Sequence, residues 1–327
     1  MTDLLYGRNA VREALRAGRK VMRLIVAEPS AVATASGRPG TRPGTPVGRG
    51  AAPGRGGTPG RGGAPGRGGA PGRGGKGAPT GRPGSGRPDA RGRAIPADET
   101  RAERRTVSLA GRAPLEEIMT LARSKGVPVE RVPGERLDKL TNGANHQGVA
   151  AVAAEYHYLA WGDMLARVEK AGPQALVLVL DSLQDPQNFG TLLRTAEAVG
   201  VTGVIMPEHH AVGVTPAVCN ASSGAVEYLH ISQVVNLART IEELKAANVW
   251  CYALAGDAAA TPYGSADLQR PLALVVGSEG SGVSALVRKR CDGALAVPMH
   301  GRIESLNAAV AGSVVLYEVL RQRGTEP

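Results

Sequence analysis

LVLVLDSLQDPQNFGTLLRTAEAVGV, residues 176–201, sets the architecture of the chain. Its first residues are apolar almost without a break, the pattern of a strand buried on both faces; a half-exposed strand would alternate. Its second half has the spacing of a helix, and Asp185-Pro186-Gln187-Asn188-Phe189-Gly190 joins the two. Arg194 is a single cation in that otherwise apolar helix. From Pro173 onward the pattern recurs, with strand candidates at 175–181, 201–207, 249–255, 271–277 and 293–299 and a last helix from about Ser305 to Arg321. Such strands, separated by helices, imply an α/β domain over 173–327 whose parallel sheet is covered on both faces. Ligands of these sheets bind in the loops beyond the carboxyl ends of the strands.

At 327 residues the chain is long enough for two ordinary domains. A net charge of +10 suggests a nucleic-acid partner. Residues 36–105, however, hold fifteen Lys/Arg against four Asp/Glu, so the excess is local and the rest of the chain is close to neutral. The same segment contains PGRGGTPGRGGAPGRGGAPGRGGK, with Arg55, Arg61, Arg67 and Arg73 six residues apart. Gly and Pro at this density bury too little apolar surface to offset chain entropy, so a disordered insert is expected. Two readings of it stand. It is an RNA-binding arm whose arginines contact phosphates and bases, or a tolerated repeat expansion, since loop closure costs only about 0.6 kcal/mol per doubling of length.

The flanks of the insert read as one small α/β domain, 1–35 with 106–155. Residues 7–18 have Val11, Ala14 and Leu15 at helical spacing before a glycine stop, and 21–28 and 127–132 read as strands. Residues 113–126 and 134–143 read as helices, and 146–154 as a closing apolar strand; 156–172 reads as a linker helix. Cys219, Cys251 and Cys291 are scattered and accompanied by no histidine cluster, which argues for a reducing compartment and against a metal site. With no signal-like leader and no run of about 20 apolar residues, a cytoplasmic protein without membrane contact is expected.

Three loops in the larger domain are unusual. The first is the opening stretch, 176–201, with its Asp185–Gly190 turn. The second, Gly277-Ser278-Glu279-Gly280-Ser281-Gly282, is neither a dinucleotide fingerprint nor a phosphate loop, which would need Gly-Lys-Ser/Thr. Alone it is more often a tight turn, but a carboxylate flanked by glycines after a buried strand needs donors. The third, LAVPMHGRIESLNAAVAG, places Ser305 and Asn307 at the start of an apolar helix, where one cap suffices, so at least one of the two has another partner. Leu306 then points inward.

Together these loops resemble the SpoU/TrmH branch of the SPOUT RNA methyltransferases. The family's Asp-Pro-x-Asn-x-Gly…Arg pattern stands here as Asp185, Pro186, Asn188, Gly190 and Arg194; Gly-x-Glu-Gly as Gly277, Glu279 and Gly280; and Pro-Met-x-Gly…Ser-Leu-Asn as Pro298, Met299, Gly301, Ser305, Leu306 and Asn307. YGRNAVREAL and NHQGVAAV resemble the ribosomal-protein-like substrate-binding domain of the 23S rRNA guanosine-2′-O-methyltransferase subgroup. The resemblance covers the chain except 36–105.

It implies a trefoil-knotted α/β domain, an exception to the usual absence of threading, and a homodimer. The implied activity is S-adenosylmethionine-dependent 2′-O-methylation of a ribose, a guanosine of 23S rRNA. Gly277, Val297 and Leu306 would surround the cofactor, with Met299 near them and Leu254, Ala255 and Gly256 adding backbone contacts. Arg194, Asn188, Glu279, Ser305 and Asn307 would be catalytic; Asn188 would position Arg194, and Glu279 would bond Arg194 or the loop amides. Arg8, Asn9, His146 and Gln147 would contact RNA, the alternative being that they shape a turn. The family role for the arginine is a base, but a guanidinium is effectively always protonated; a clamp for phosphate and developing alkoxide is physically easier. Alternatives are a tRNA ribose methyltransferase or a non-catalytic RNA-binding assembly factor. A nicotinamide oxidoreductase lacks its fingerprint. Deleting 36–105 separates the two readings of the insert: an RNA arm flattens the salt dependence of RNA binding when removed, and a tolerated expansion leaves the slope unchanged.

Overall fold

The computed structural model describes residues 2–28, 114–257, 259–303 and 305–324. The insert expected at 36–105 lies outside the described residues. The N-terminal lobe contains β1 (Thr2–Tyr6), α1 (Arg8–Ala17), β2 (Val21–Ala27), α2 (Leu115–Ser124), β3 (Val129–Val132), α3 (Gly134–Leu140) and β4 (Val149–Ala154). Its sheet runs β1-β4-β2-β3, with β4 antiparallel to both neighbours and β2 parallel to β3. VAAVAA supplies the central strand because its small side chains let helices approach; Val11, Ala14 and Leu15 of α1 are buried, as the helical spacing required. Strand β1 was not expected, since TDLLY is short and opens on polar residues.

The expected linker helix over 156–172 needs correction. Tyr156–Ala160 has no regular secondary structure and only α4 (Trp161–Ala171) is helical. Tyr156 and Tyr158 are half-buried and His157 exposed, a period of two that the aromatic pair carries in the sequence. Tyr156 Oη donates to the Leu229 carbonyl at 2.6 Å, and the Val214 N–H donates to Tyr158 Oη at 2.7 Å.

The larger domain comprises β5 (Leu176–Asp181), α5 (Pro186–Ala198), β6 (Gly203–Pro207), α6 (Pro216–Ala221), β7 (Ile231–Val234), α7 (Leu237–Ala246), β8 (Trp250–Leu254), β9 (Thr261–Pro262), β10 (Leu272–Gly277), α8 (Ala285–Arg290), β11 (Gly293–Ala296) and α9 (Ala308–Gln322). The sheet order is β7-β6-β5-β10-β8-β11-β9, with every pairing parallel. Strand β10 thus lies between two strands that precede it in the chain, the order of the knotted α/β fold. The strand expected at 293–299 stops at Ala296, before Pro298, and the last helix starts at Ala308, after Asn307. The unexpected β7 is a four-residue edge strand, ISQV, too short and too polar to register as apolar periodicity.

Every residue of β5 and β10 is buried. Leu176, Leu178 and Leu180 face α5 and α9, while Val177 and Val179 face the side covered by α4 and α7. Each such leucine contributes about 1.5–3 kcal/mol by leaving water. The α5/α9 core continues without a break into the N-terminal lobe through Val218, Cys219 and Val226 to Leu5, Val11 and Leu15.

Arg19 sits at that join. Its guanidinium bridges Asp3 and Glu227, the latter at 2.8 Å, and donates to the Ala154 carbonyl at 2.8 Å. The Arg19 and Glu227 side chains are only 7% and 4% exposed, so each depends on the other. Burial pushes the Glu227 carboxyl above the usual carboxylate range, and Arg19 pulls it back. Arg19→Met leaves this carboxylate buried without its partner and should cost about 3–5 kcal/mol in urea unfolding, much of it recovered when Glu227→Gln is added.

Candidate active site

The first loop is built by helix-start chemistry. Asp185 is the N-cap of α5, accepting from the N–H groups of Gln187 (3.2 Å) and Asn188 (3.1 Å), and Pro186 occupies the first helical position, where no N–H is needed. Gly190 has a packing reason. A Cβ there would stand 2.4 Å from Ala221 Cβ and 2.8 Å from the Ser222 nitrogen, so α5 crosses the end of α6 in backbone contact.

Asp181 and Gly277 are paired across β5 and β10, so the first two loops leave from adjacent strand ends. Buried Asp181 accepts from the Ser284 N–H at 2.7 Å and ties the far end of the second loop to the sheet. The sequence reading passed over this residue; its signal was a carboxylate ending a buried strand. At Gly277 a Cβ would meet the Gly282 carbonyl carbon at 2.0 Å. Reciprocal backbone bonds between Ser278 and Gly282, at 3.2 and 2.9 Å, close the turn that displays Glu279. The loop is a tight turn, and the turn presents a carboxylate.

The third loop meets the other two at Asn307. Its Oδ1 caps α9, accepting from Ala309 (3.0 Å) and Val310 (3.2 Å). Its Nδ2 donates to Glu279 Oε1 at 2.7 Å and to Asn188 Oδ1 at 2.8 Å, and Asn188 Nδ2 donates to the same Glu279 oxygen. Helix N–H groups on one side and an acceptor-only carboxylate on the other fix both amide orientations. The expectation that one of Ser305 and Asn307 has a partner beyond capping is met by Asn307, which does both jobs.

Two expected contacts are corrected. Glu279 bonds the two asparagines rather than Arg194, and Asn188 is turned toward Glu279 rather than toward Arg194. Six residues separate Asn188 from Arg194, so at 3.6 residues per turn they project about 120° apart around α5. Arg194 is exposed, and its Nη1 donates to Ser223 Oγ at 3.4 Å.

A cleft of about 530 Å³ opens beside this hub, at the carboxyl ends of β8, β10 and β11. Leu254, Ala255 and Gly256 line it at the end of β8, Gly277 at the end of β10, Val297 and Met299 after β11, and Leu306 before α9; Glu279 and Ser305 also face it. Leu306 lines the cleft and is 40% exposed there, so its side chain is open to an apolar ring or thioether. Asp257 also lines the cleft and was missed in the sequence; Arg288 pairs with it and holds its carboxyl below the usual range.

In the N-terminal lobe, Arg8 Nε donates to the Gln147 carbonyl at 3.0 Å, and Gln147 has φ 53°. His146 Nδ1 accepts from the Gly148 N–H at 3.0 Å, while Nε2 faces Asp138 at 2.9 Å. Asn9 lies one residue after Arg8 at the start of α1, so the four predicted RNA-contact residues gather around the turn before β4, and three of them help hold it.

Residues 175–317 match the SpoU rRNA methylase family, and residues 94–159 match the RNA 2′-O ribose methyltransferase substrate-binding family. The chain is 42% identical over 209 residues to YacO of Bacillus subtilis, named for the TrmH family of tRNA/rRNA methyltransferases, a match covering 64% of this chain and 83% of that protein. A Staphylococcus aureus protein named for the same family is 44% identical over 211 residues, covering 64% and 84%. Among solved structures, the SpoU methyltransferase AviRb of Streptomyces viridochromogenes, in complex with AdoMet, superposes with TM-score 0.62 at 18% identity, covering 98% of this chain and 90% of that one. An AdoMet-bound rRNA methyltransferase of Sinorhizobium meliloti gives TM-score 0.60 at 19% identity, covering 98% and 87%. At these identities the two structures speak for the fold.

The three loop residues separate by stability. Asn307→Ala removes a helix cap and should cost about 0.5–2 kcal/mol in thermal or urea melts, whereas Asn188→Ala, which caps nothing and loses two side-chain hydrogen bonds, should cost about 1 kcal/mol or less. Gly190→Ala, which forces α5 and α6 apart, should cost about 1–3 kcal/mol.

Proposed function

Because the chain belongs to the SpoU/TrmH family of tRNA/rRNA methyltransferases, we propose that it methylates a ribose 2′-hydroxyl of RNA with S-adenosylmethionine as cofactor. The observation that carries this reading is the meeting of three loops, through Glu279, Asn188 and Asn307, at the rim of one cleft. The cleft suits the cofactor chemically. Leu254, Val276, Val297 and Leu306 give apolar walls for a flat base and a thioether arm, and the carboxylate of Glu279, which has amide partners but no cation, favours a ligand carrying positive charge. Its volume falls in the range of about 300–1,000 Å³ usual for such sites. When bound, the cofactor supplies an electrophilic methyl group on a sulfonium.

The chain's own residues orient the hydroxyl and stabilise its oxygen. Arg194 has no carboxylate partner among the described residues, so its charge is free to hold the phosphate beside the target ribose and the negative charge growing on the 2′-oxygen. It does so without taking the proton, which a guanidinium cannot accept; as the oxygen–methyl bond forms and the sulfur–methyl bond breaks, the hydroxyl proton passes to solvent water, which reaches this exposed part of α5. Glu279 holds the hub together. Ser305, on the cleft wall, orients the ribose. The target we favour is a guanosine of 23S rRNA, on the strength of the N-terminal lobe, where Arg8, Asn9, His146 and Gln147 form the RNA-facing turn. The enzyme works as a homodimer; Val310 and Tyr317 on α9 are apolar and about half exposed, a surface suited to a second copy.

The purified protein should bind S-adenosylmethionine and not NAD at equilibrium. Comparing 2′-O-methyl positions in rRNA and tRNA from strains with and without the gene should show one lost guanosine methylation in 23S rRNA; a lost tRNA methylation would select the alternative substrate. Arg194→Lys should lower kcat by about 10²–10³-fold with no movement of the apparent pKa in the pH–rate profile. A pKa that moves with the substitution would restore the arginine as base. Asn188→Ala should lose activity while melting near the wild-type temperature.

A further inference from the structure

Ser223 follows α6 with φ 53°, in the left-handed region that residues bearing a Cβ avoid. Gly224 follows it, also left-handed, with φ 86°. The pair is held on three sides. The Ser223 and Gly224 N–H groups donate back to the carbonyls of Asn220 (2.9 Å) and Cys219 (3.0 Å), closing the end of α6. Gly190 lets α5 press directly on Ala221 and Ser222. From the N-terminal lobe, α1 covers Gly224 so closely that a Cβ there would stand 2.6 Å from Glu13 Cβ and 3.1 Å from the Asn9 carbonyl oxygen. Glycine or asparagine would fill position 223 with less strain.

What a serine adds at this position is its hydroxyl. Neighbouring Ser222 is fully buried and spends its own on the Cys219 carbonyl at 3.1 Å, whereas Ser223 Oγ accepts from Arg194 Nη1 at 3.4 Å. A carboxylate at this point would hold the guanidinium more tightly but would cancel its charge. A neutral hydroxyl fixes one N–H and leaves the charge for substrate. Strained residues that persist at a site are held there by their surroundings, and here the surroundings come from α5, α6 and the small lobe at once.

We propose that Ser223 is a positioning residue for Arg194, orienting its guanidinium toward the RNA without neutralising it. This rests on the reading of Arg194 as the charge-holding group of a ribose methyl transfer. Ser223→Gly is the informative substitution, because it removes the hydroxyl and relieves the backbone in one step. It should melt at or above the wild-type temperature, bind S-adenosylmethionine with unchanged Kd, and lose about tenfold or more in kcat with little change in the KM for RNA. Ser223→Asn, which tolerates the left-handed backbone and returns an acceptor, should recover part of that loss. In an Arg194→Lys background Ser223→Gly should add little further loss, as expected for two groups acting as a unit. A Ser223→Gly enzyme with wild-type kcat, or losses that multiply in the double variant, would overturn the positioning role and leave the methyltransferase reading intact. A wild-type protein that transfers no methyl group to RNA would overturn both.

Discussion

Asn307 has to satisfy two neighbours of opposite chemistry, and the site depends on that constraint. On one side are the free N–H groups of α9, which want an acceptor; on the other is Glu279, which wants a donor. Only a side chain with a carbonyl and an amino group on the same carbon meets both. Aspartate would cap the helix and repel Glu279. Serine would cap it without reaching Asn188. The last helix of the chain is thereby started at the point where the second loop must be held, and the carboxylate that holds the loops is itself held by amides instead of cations. Arg194 is left with its charge uncompensated by any carboxylate among the described residues.

Glycine does the complementary work. At Gly190 and Gly277 a single methyl group would overlap backbone atoms of the neighbouring segment. Both positions stand beside a residue the site needs: Gly190 where α5 meets the end of α6 and Ser223, and Gly277 at the base of the turn carrying Glu279.

The parts of this arrangement legible in the sequence are those written in periodicity and spacing. LVLVLD announced a strand covered on both faces; the seven residues named for the cofactor came from the family resemblance instead, and the fold gathers them along one cleft. Pairwise contacts were less legible. Glu279 was expected on Arg194 or on the loop amides; it accepts from the side-chain amides of Asn188 and Asn307, and the phase of α5 turns Arg194 away from the hub. The Tyr156–Ala160 segment was taken as helix because its apolar content was read without its period of two. Ser223 carried no signal at all, since its left-handed backbone is imposed by α1, α5 and α6 together, and only their assembly brings its hydroxyl to the arginine.

The placement of β10 has a consequence for how the protein comes into being. A sheet whose central strand is supplied late cannot be completed in the order in which it is synthesised: β5 and β8 are both made before the strand that lies between them. Until β10 arrives, two apolar strand edges wait without a partner, and the cleft lacks two of its three loops. The cleft is therefore completed late in the chain: the segments after β10 and β11 line it, and Ala308 and Ala311 of α9 close its last side.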